Sequence, residues 1–340
     1  MKMEIREFGQ EEWYKIVSDF EELSLMQTWE YAEAKAKVSP WKVTRAIFLQ
    51  ENKIVAATQG LMRTIPFLNR GLVWINRAPL WRKLKEDGNS IQLAGMLQEL
   101  RRYWVEEKKM YLRIAPPILD DEESGLILTK AGFAFCNPSL KWTSARIDLT
   151  KTEEELRKGL KQKWRNCLNK AERLGLSFEF GVSPWLMEEL VDEYRKMFQS
   201  KNLKSTVSPE FIKTLQNLLP DEKKMWVFTG IYNSERLGSI LIAPYGDTCE
   251  YLVGAVNEIG KKYNTGQFLL WHAICEMKKL GYKWFDVGGA DPEGTPPGIL
   301  HFKEGMGGKP YKLVGELEAY KRSFFTEAIR WRVNRVVGNK

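Results

Sequence analysis

Trp284-Phe285-Asp286-Val287-Gly288-Gly289 leads through a loop rich in proline and glycine to Phe302-Lys303-Glu304-Gly305 and a second glycine pair, Gly307-Gly308. A short apolar strand that ends in paired glycines lets a ligand approach its backbone, because no Cβ stands in the way. The loop beyond it returns one cation, Lys303, beside one aromatic, Phe302. Loops held by a rigid strand are where binding and catalytic groups usually sit, so the pattern describes a ligand brought against a lysine. The same residues also read as a β-turn carrying a solvated surface lysine. No nucleophile elbow, Cys-His pairing motif or metal-ligand cluster offers other chemistry. The four cysteines are widely spaced and read as buried free thiols.

The elements that position this segment occur twice. Ala46-Ile47-Phe48-Leu49, a polar turn at Glu51-Asn52-Lys53 and Ile54-Val55-Ala56-Ala57 read as a hairpin. Val227-Phe228-Thr229-Gly230-Ile231, the turn Asn233-Ser234-Glu235-Arg236 and Leu237-Gly238-Ser239-Ile240 read the same way. Each hairpin leads to an amphipathic helix, Ile91 to Glu106 or Gln267 to Leu280. Each helix is followed at once by a strand, ending in Pro116-Pro117 or in Gly288-Gly289. Hairpins followed by a crossover helix and a strand give a mixed sheet, so the repeat predicts two α/β domains in tandem with a cleft between them. Between the halves, Thr152 and Glu155 form a capping box for a helix that runs to Gly175. Leu156, Leu160, Trp164, Leu168 and Ala171 mark its apolar face, and Arg157, Lys158, Lys161, Arg165 and Arg173 its basic face. The last segment, Ala319 to Val337, reads as another helix.

With 340 residues, 44% of them hydrophobic and 12% aromatic, the chain can bury two ordinary cores. It has no apolar run long enough to span a bilayer, and Glu4, Arg6 and Glu7 occupy the place of a signal-peptide core, so a cytoplasmic location is expected. A net charge of +8 favours a polyanionic partner such as tRNA, a nucleotide-phosphate substrate or an anionic lipid surface, and is equally compatible with plain solubility.

Taken in order, the motifs resemble the Fem family of non-ribosomal peptidyltransferases, whose fold is a tandem GNAT-like one. They are Gln27-Thr28-Trp29 with Lys35, Arg113-Ile114-Ala115-Pro116-Pro117, Ile147-Asp148-Leu149, Trp164-Arg165-Asn166 with Lys170-Ala171, Tyr251-x-x-Gly254-Ala255, and Phe285-Asp286-x-Gly288-Gly289 with Phe302-Lys303. The resemblance spans nearly the whole chain. It implies a first GNAT-like domain over 1–146, completed by a C-terminal segment 314–340 whose helix packs back on it, and a second over 147–313. It also implies transfer of an amino acid from aminoacyl-tRNA, as co-substrate and without a cofactor or metal, to an amino group of a peptidoglycan precursor. That acceptor is nucleotide-linked or lipid-linked, the latter with peripheral contact at the inner membrane face.

Lys303 is then the catalytic cation, stabilising the oxyanion or holding acceptor-stem phosphates. Phe302 packs behind it or stacks on the terminal adenine. Trp29 and Lys35 would meet the acceptor's phosphates, while Lys201 stands where the family carries an arginine, and Ala115 where some members carry an acid. Tyr251, Gly254 and Gly289 would line the cleft. Asp286 would bind substrate or, by a hydrogen bond, fix the Gly-Gly turn. Lys158, Lys161 and Arg165 would guide tRNA. The rival is an acyl-CoA-dependent N-acyltransferase of the same fold. Its Gly-rich pyrophosphate loop has only a weak counterpart in 260–266.

Overall fold

The computed structural model describes residues 1–68, 70–84, 90–137, 141–200 and 207–337. The chain divides into two compact units, 1–142 with 312–340, and 143–311. The first runs β1 (Lys2–Ile5), α1 (Gln10–Val17), α2 (Trp29–Val38), β2 (Lys42–Gln50), β3 (Lys53–Thr64), β4 (Gly71–Asn76), α3 (Ser90–Arg101), β5 (Tyr111–Ala115), α4 (Glu122–Lys130) and β6 (Ala134–Phe135). The second begins with β7 (Trp142–Asp148), α5 (Glu153–Gly159), α6 (Gln162–Leu174), β8 (Ser177–Gly181), α7 (Pro184–Ser200) and α8 (Pro209–Leu218). It continues with β9 (Trp226–Tyr232), β10 (Glu235–Tyr245), β11 (Thr248–Val256), α9 (Glu258–Lys262), α10 (Thr265–Lys279), β12 (Trp284–Asp286), α11 (Pro297–Glu304) and β13 (Lys309–Leu313). The chain then returns to the first unit with β14 (Leu317–Ala319) and α12 (Phe324–Val337).

Each unit is built on one seven-stranded mixed sheet, ordered β1-β2-β3-β4-β5-β14-β6 in the first and β13-β7-β12-β11-β10-β9-β8 in the second. Both repeats of the sequence are there. The hairpins β2–β3 and β9–β10 turn at Glu51-Asn52 and Asn233-Ser234, all four at positive φ. Two successive positive-φ residues match the right-handed twist of the flanking strands. The crossovers through α3 and α10 make β4–β5 and β11–β12 the parallel pairs. Where the first sheet takes β14, from the end of the chain, the second takes β7, from the end of the first half.

Helices cover both faces of each sheet, so the central strands lose their polar alternation. Along β10 every residue from Gly238 to Tyr245 is buried. Ile240 and Ile242 join the core under α10, with Phe268, Leu269 and Ile274. In the first sheet Phe48 and Ala56 face the core with Leu97 and Leu100 of α3. Ile47 and Ala57 face the opposite core, with Trp13 and Val17 of α1.

Three sequence expectations are corrected. The helix from Thr152 to Gly175 has its capping box and its left-handed Gly175 terminus, but it is two helices. Leu160 and Lys161 adopt extended backbone between α5 and α6, and the Lys161 N–H goes to the Gly305 carbonyl at 2.9 Å. Arg157 thus turns inward, onto Glu172 and Asn169, and the basic face is interrupted. Next, Phe302 and Lys303 lie in the last turns of α11 and not on a loop. Finally, 317–319 is a strand, because Glu318 is buried against Tyr111 and Arg330, and the last helix begins only at Phe324. No described helix is long and apolar enough to cross a membrane.

Candidate functional site

In the second unit β11 and β12 run parallel for three paired positions, Thr248 with Trp284, Cys249 with Phe285 and Glu250 with Asp286. Beyond them β12 stops while β11 continues to Val256. The carboxyl ends of parallel strands in such sheets are where ligands bind, and the Lys303 side chain ends here. Its Nζ donates to the Gly289 carbonyl at 2.9 Å and stands 5.4 Å from the centre of the Tyr251 ring. Burial pushes the ammonium down to about 8, and the nearby Glu250 and Asp286 carboxylates resist the shift. Close to neutrality the group is therefore charged and still able to give up its proton.

Asp286 organises the turn beneath it. Oδ1 accepts from the Gly288 N–H at 2.9 Å and lies 2.5 Å from the Ser144 hydroxyl, and Oδ2 accepts from Tyr311 at 2.6 Å. Arg146, its cross-strand partner on β7, stands 3.5 Å away. This engagement matches the turn-fixing alternative for Asp286. Gly288 adopts φ +71°, and a Cβ there would fall 2.6 Å from the Tyr251 carbonyl and 3.2 Å from Lys303 Nζ. A side chain at 288 would therefore displace the amine.

α11 is held by the glycines that follow it. A Cβ on Gly305 would lie 2.3 Å from Cδ1 of Trp164, and one on Gly307 2.0 Å from the Gly159 carbonyl. The break between α5 and α6 thus docks directly onto this backbone. Phe302 packs on Trp164, with ring centres 6.3 Å apart, and over the first turn of α10, where its Cζ would be 3.2 Å from a Cβ on Gly266. Tyr251 folds back so that its hydroxyl would be 2.4 Å from a Cβ on Gly254, and burial pushes its pKa up to about 12. Gly254 is thus small to admit Tyr251.

The structure brings Lys303, Phe302, Tyr251, Gly254, Asp286 and Gly289 together in one unit. Of the basic candidates in that unit, Lys158 pairs with Glu154 at 2.7 Å, Lys161 with Glu304 at 3.0 Å, and Arg165 reaches the Lys158 carbonyl at 3.3 Å. Lys201 lies outside the described residues.

Trp29 and Lys35 belong to the first unit. There Gln27 ties the backbone of Gln59 and Asn76 together, and Gln59 in turn receives Arg45 Nε at 2.8 Å. The Arg45 guanidinium covers the Trp29 ring at 3.4 Å, so that aromatic face is already occupied. Lys35 is buried on α2, 5.4 Å from the Tyr31 ring centre, and is not a solvated helix lysine. Ser144, Arg146, Tyr311 and Glu250 were not singled out from the sequence. Ser144 and Arg146 do share one face of β7 at period two, the only sequence trace they leave.

Among the described residues no group of three histidine, cysteine, aspartate or glutamate side chains is placed to hold a metal ion. The sequence matches the family model of the acetyltransferase (GNAT) domain over residues 157–313. No curated protein matches it significantly. Among solved structures, FemX superposes with a TM-score of 0.79 at 14% identity, over 96% of this chain and 100% of that one. The C-terminal domain of a putative lysylphosphatidylglycerol synthetase from Agrobacterium fabrum gives 0.57 at 12% identity, over 95% and 94%. A tandem GNAT protein from the clavulanic acid biosynthesis pathway gives 0.51 at 10%, over 95% and 100%. The fold is a tandem GNAT-type one. At these identities the likeness is one of fold alone.

Proposed function

We propose that the protein is an acyltransferase of the Fem type, moving an amino acid from aminoacyl-tRNA to an amino group of a peptidoglycan precursor peptide in the cytoplasm. The observation that carries this reading is the Lys303 ammonium, set at the carboxyl ends of β11 and β12 and fixed by the Gly289 carbonyl. The ester of aminoacyl-tRNA is already activated, so direct attack suffices. The acceptor nitrogen bonds to the ester carbon, the carbon–oxygen bond to the terminal ribose breaks, and the amine's proton ends on the ribose oxygen. Such a transfer needs two aligned substrates and a donor facing the oxygen that becomes negative. Lys303 supplies the donor. Of the nearby carboxylates, Asp286 is engaged by Ser144, Tyr311 and Arg146, and Glu250 helps to keep the ammonium charged.

A second reading, an acyl-CoA-dependent N-acyltransferase, is favoured by the GNAT domain match over 157–313. Against it stands Phe302, which covers Gly266 in the first turn of α10, where a pyrophosphate would need open backbone N–H groups. Incubation with precursor peptide and either radiolabelled aminoacyl-tRNA or radiolabelled acetyl-CoA separates the two. Labelled peptide from the tRNA donor supports the first reading. Product from acetyl-CoA without any tRNA overturns it for the second.

A further inference from the structure

α12 turns its largest aromatics away from the sheet it packs on. Phe324 and Trp331 are 83% and 63% exposed, and their spacing of seven residues puts them on one stripe of the helix. Ala328 is exposed between them. The inward side is instead Thr326, buried, with half-buried Phe325, Ile329 and Arg330, the last paired with buried Glu318 at 2.8 Å. The β3–β4 turn lies beside the start of the helix, with the Arg70 guanidinium 5.2 Å from the Phe325 ring centre. Its tip holds Phe67 wholly exposed at φ +65°, next to exposed Leu68. A soluble surface seldom gathers so many large apolar groups without a use for them.

The charge around this patch is one-sided. Lys321, Arg322, Arg332 and Arg335 are all exposed, and Glu327 is the one acid within α12. Arg335 lies against the Trp331 ring at 5.3 Å, with its head free to reach past the aromatic edge. We propose that this face of the first unit docks on an anionic phospholipid surface, with Phe324, Trp331 and Phe67 entering the headgroup layer and the arginines meeting lipid phosphates. Aromatics on one side and arginines at the rim are what an interfacial helix presents to such a surface. A nucleic acid is the less suitable occupant, because Leu68 and Ala328 have no ring on which a base could stack. The inference rests on the first unit alone and is independent of the acyl-transfer chemistry proposed for the second.

Vesicle flotation tests it, using the full chain with phosphatidylcholine vesicles and with vesicles that also contain phosphatidylglycerol. The wild type should float with the anionic vesicles only, and less so as salt rises. Phe324→Ser with Trp331→Ser should lower partitioning at least tenfold. Arg332→Gln with Arg335→Gln should also cut it at least tenfold, since each cation near such a surface contributes about fivefold. Melting temperatures should match wild type, and Phe67→Ser on the turn repeats the test should the helix variants fail to fold. Failure of the wild type to float, or unchanged flotation of the variants, overturns the proposal. Loss of tRNA binding with vesicle binding intact, or a wild-type dimer that dissociates in the aromatic variant, would reassign the face to a nucleic acid or to a second copy.

Discussion

In the proposed transfer Lys303 has to carry a positive charge, and its surroundings make that charge conditional. Burial lowers its pKa from the usual lysine value to about 8. If it stabilises an oxyanion, only the protonated form works. The pH profile of kcat/KM, which reports the free protein, should then fall as pH rises through about 8, whereas a lysine acting as base would make it rise there. Lys303→Ala should lose about a hundredfold or more in kcat, the usual loss on removing an oxyanion donor, and should abolish that pH limb. Tyr311→Phe is the milder change. It leaves the charge but removes one donor from Asp286, so a modest fall in kcat without a shift of KM is expected.

The Phe302-Lys303 pair and its glycine strand were legible in the sequence because they are local. Ser144, Arg146 and Tyr311 were not, since β7, which carries the first two, and β13, which carries Tyr311, are brought to β12 only when the sheet forms. The burial of Lys35 was not legible either, because helical spacing does not report where a long side chain ends.

Among the elements, the glycines after α11 decide whether Lys303 is in place. Gly305→Ala puts a methyl 2.3 Å from Trp164, and Gly307→Ala puts one 2.0 Å from the Gly159 carbonyl on a residue at φ +78°. Each should destabilise the protein by about 2–4 kcal/mol and lower kcat, measured by denaturant unfolding and turnover. Gly125→Ala, inside α4 with nothing within 4 Å, should instead stabilise by about 0.5–1 kcal/mol and leave turnover alone. Equal effects at all three positions would deny the close docking. The α5–α6 break that these glycines receive could not be read from periodicity, because Leu160 keeps the apolar spacing across it.

The same break bears on the basic face. Lys158 and Lys161 are already paired with carboxylates, so replacing Lys158, Lys161 and Arg165 by Gln tests whether that face still meets tRNA. If it does, the slope of log affinity against log salt should flatten by roughly 0.7–0.9 per lost phosphate contact. An unchanged slope places the tRNA contacts elsewhere.

At the scale of the molecule, the tandem plan was readable because each half repeats hairpin, helix and strand in order. The strand that completes each sheet was not, since β7 and β14 carry no mark of the sheet they join. A chain ending at Leu313 should therefore lose the first unit specifically. Without β14 the strands β5 and β6 lose their shared neighbour, and Tyr111 loses Glu318. Hydrogen exchange should show residues 1–142 unprotected while 143–311 stay protected, whereas protection retained in both would contradict the division. Whether Lys303 drives the transfer is read from the single-turnover rate at which aminoacyl-tRNA is consumed in the presence of precursor peptide. Wild type should transfer at a rate that declines above pH about 8, and Lys303→Ala should be slower by about a hundredfold or more. Equal rates for the two proteins would contradict that role.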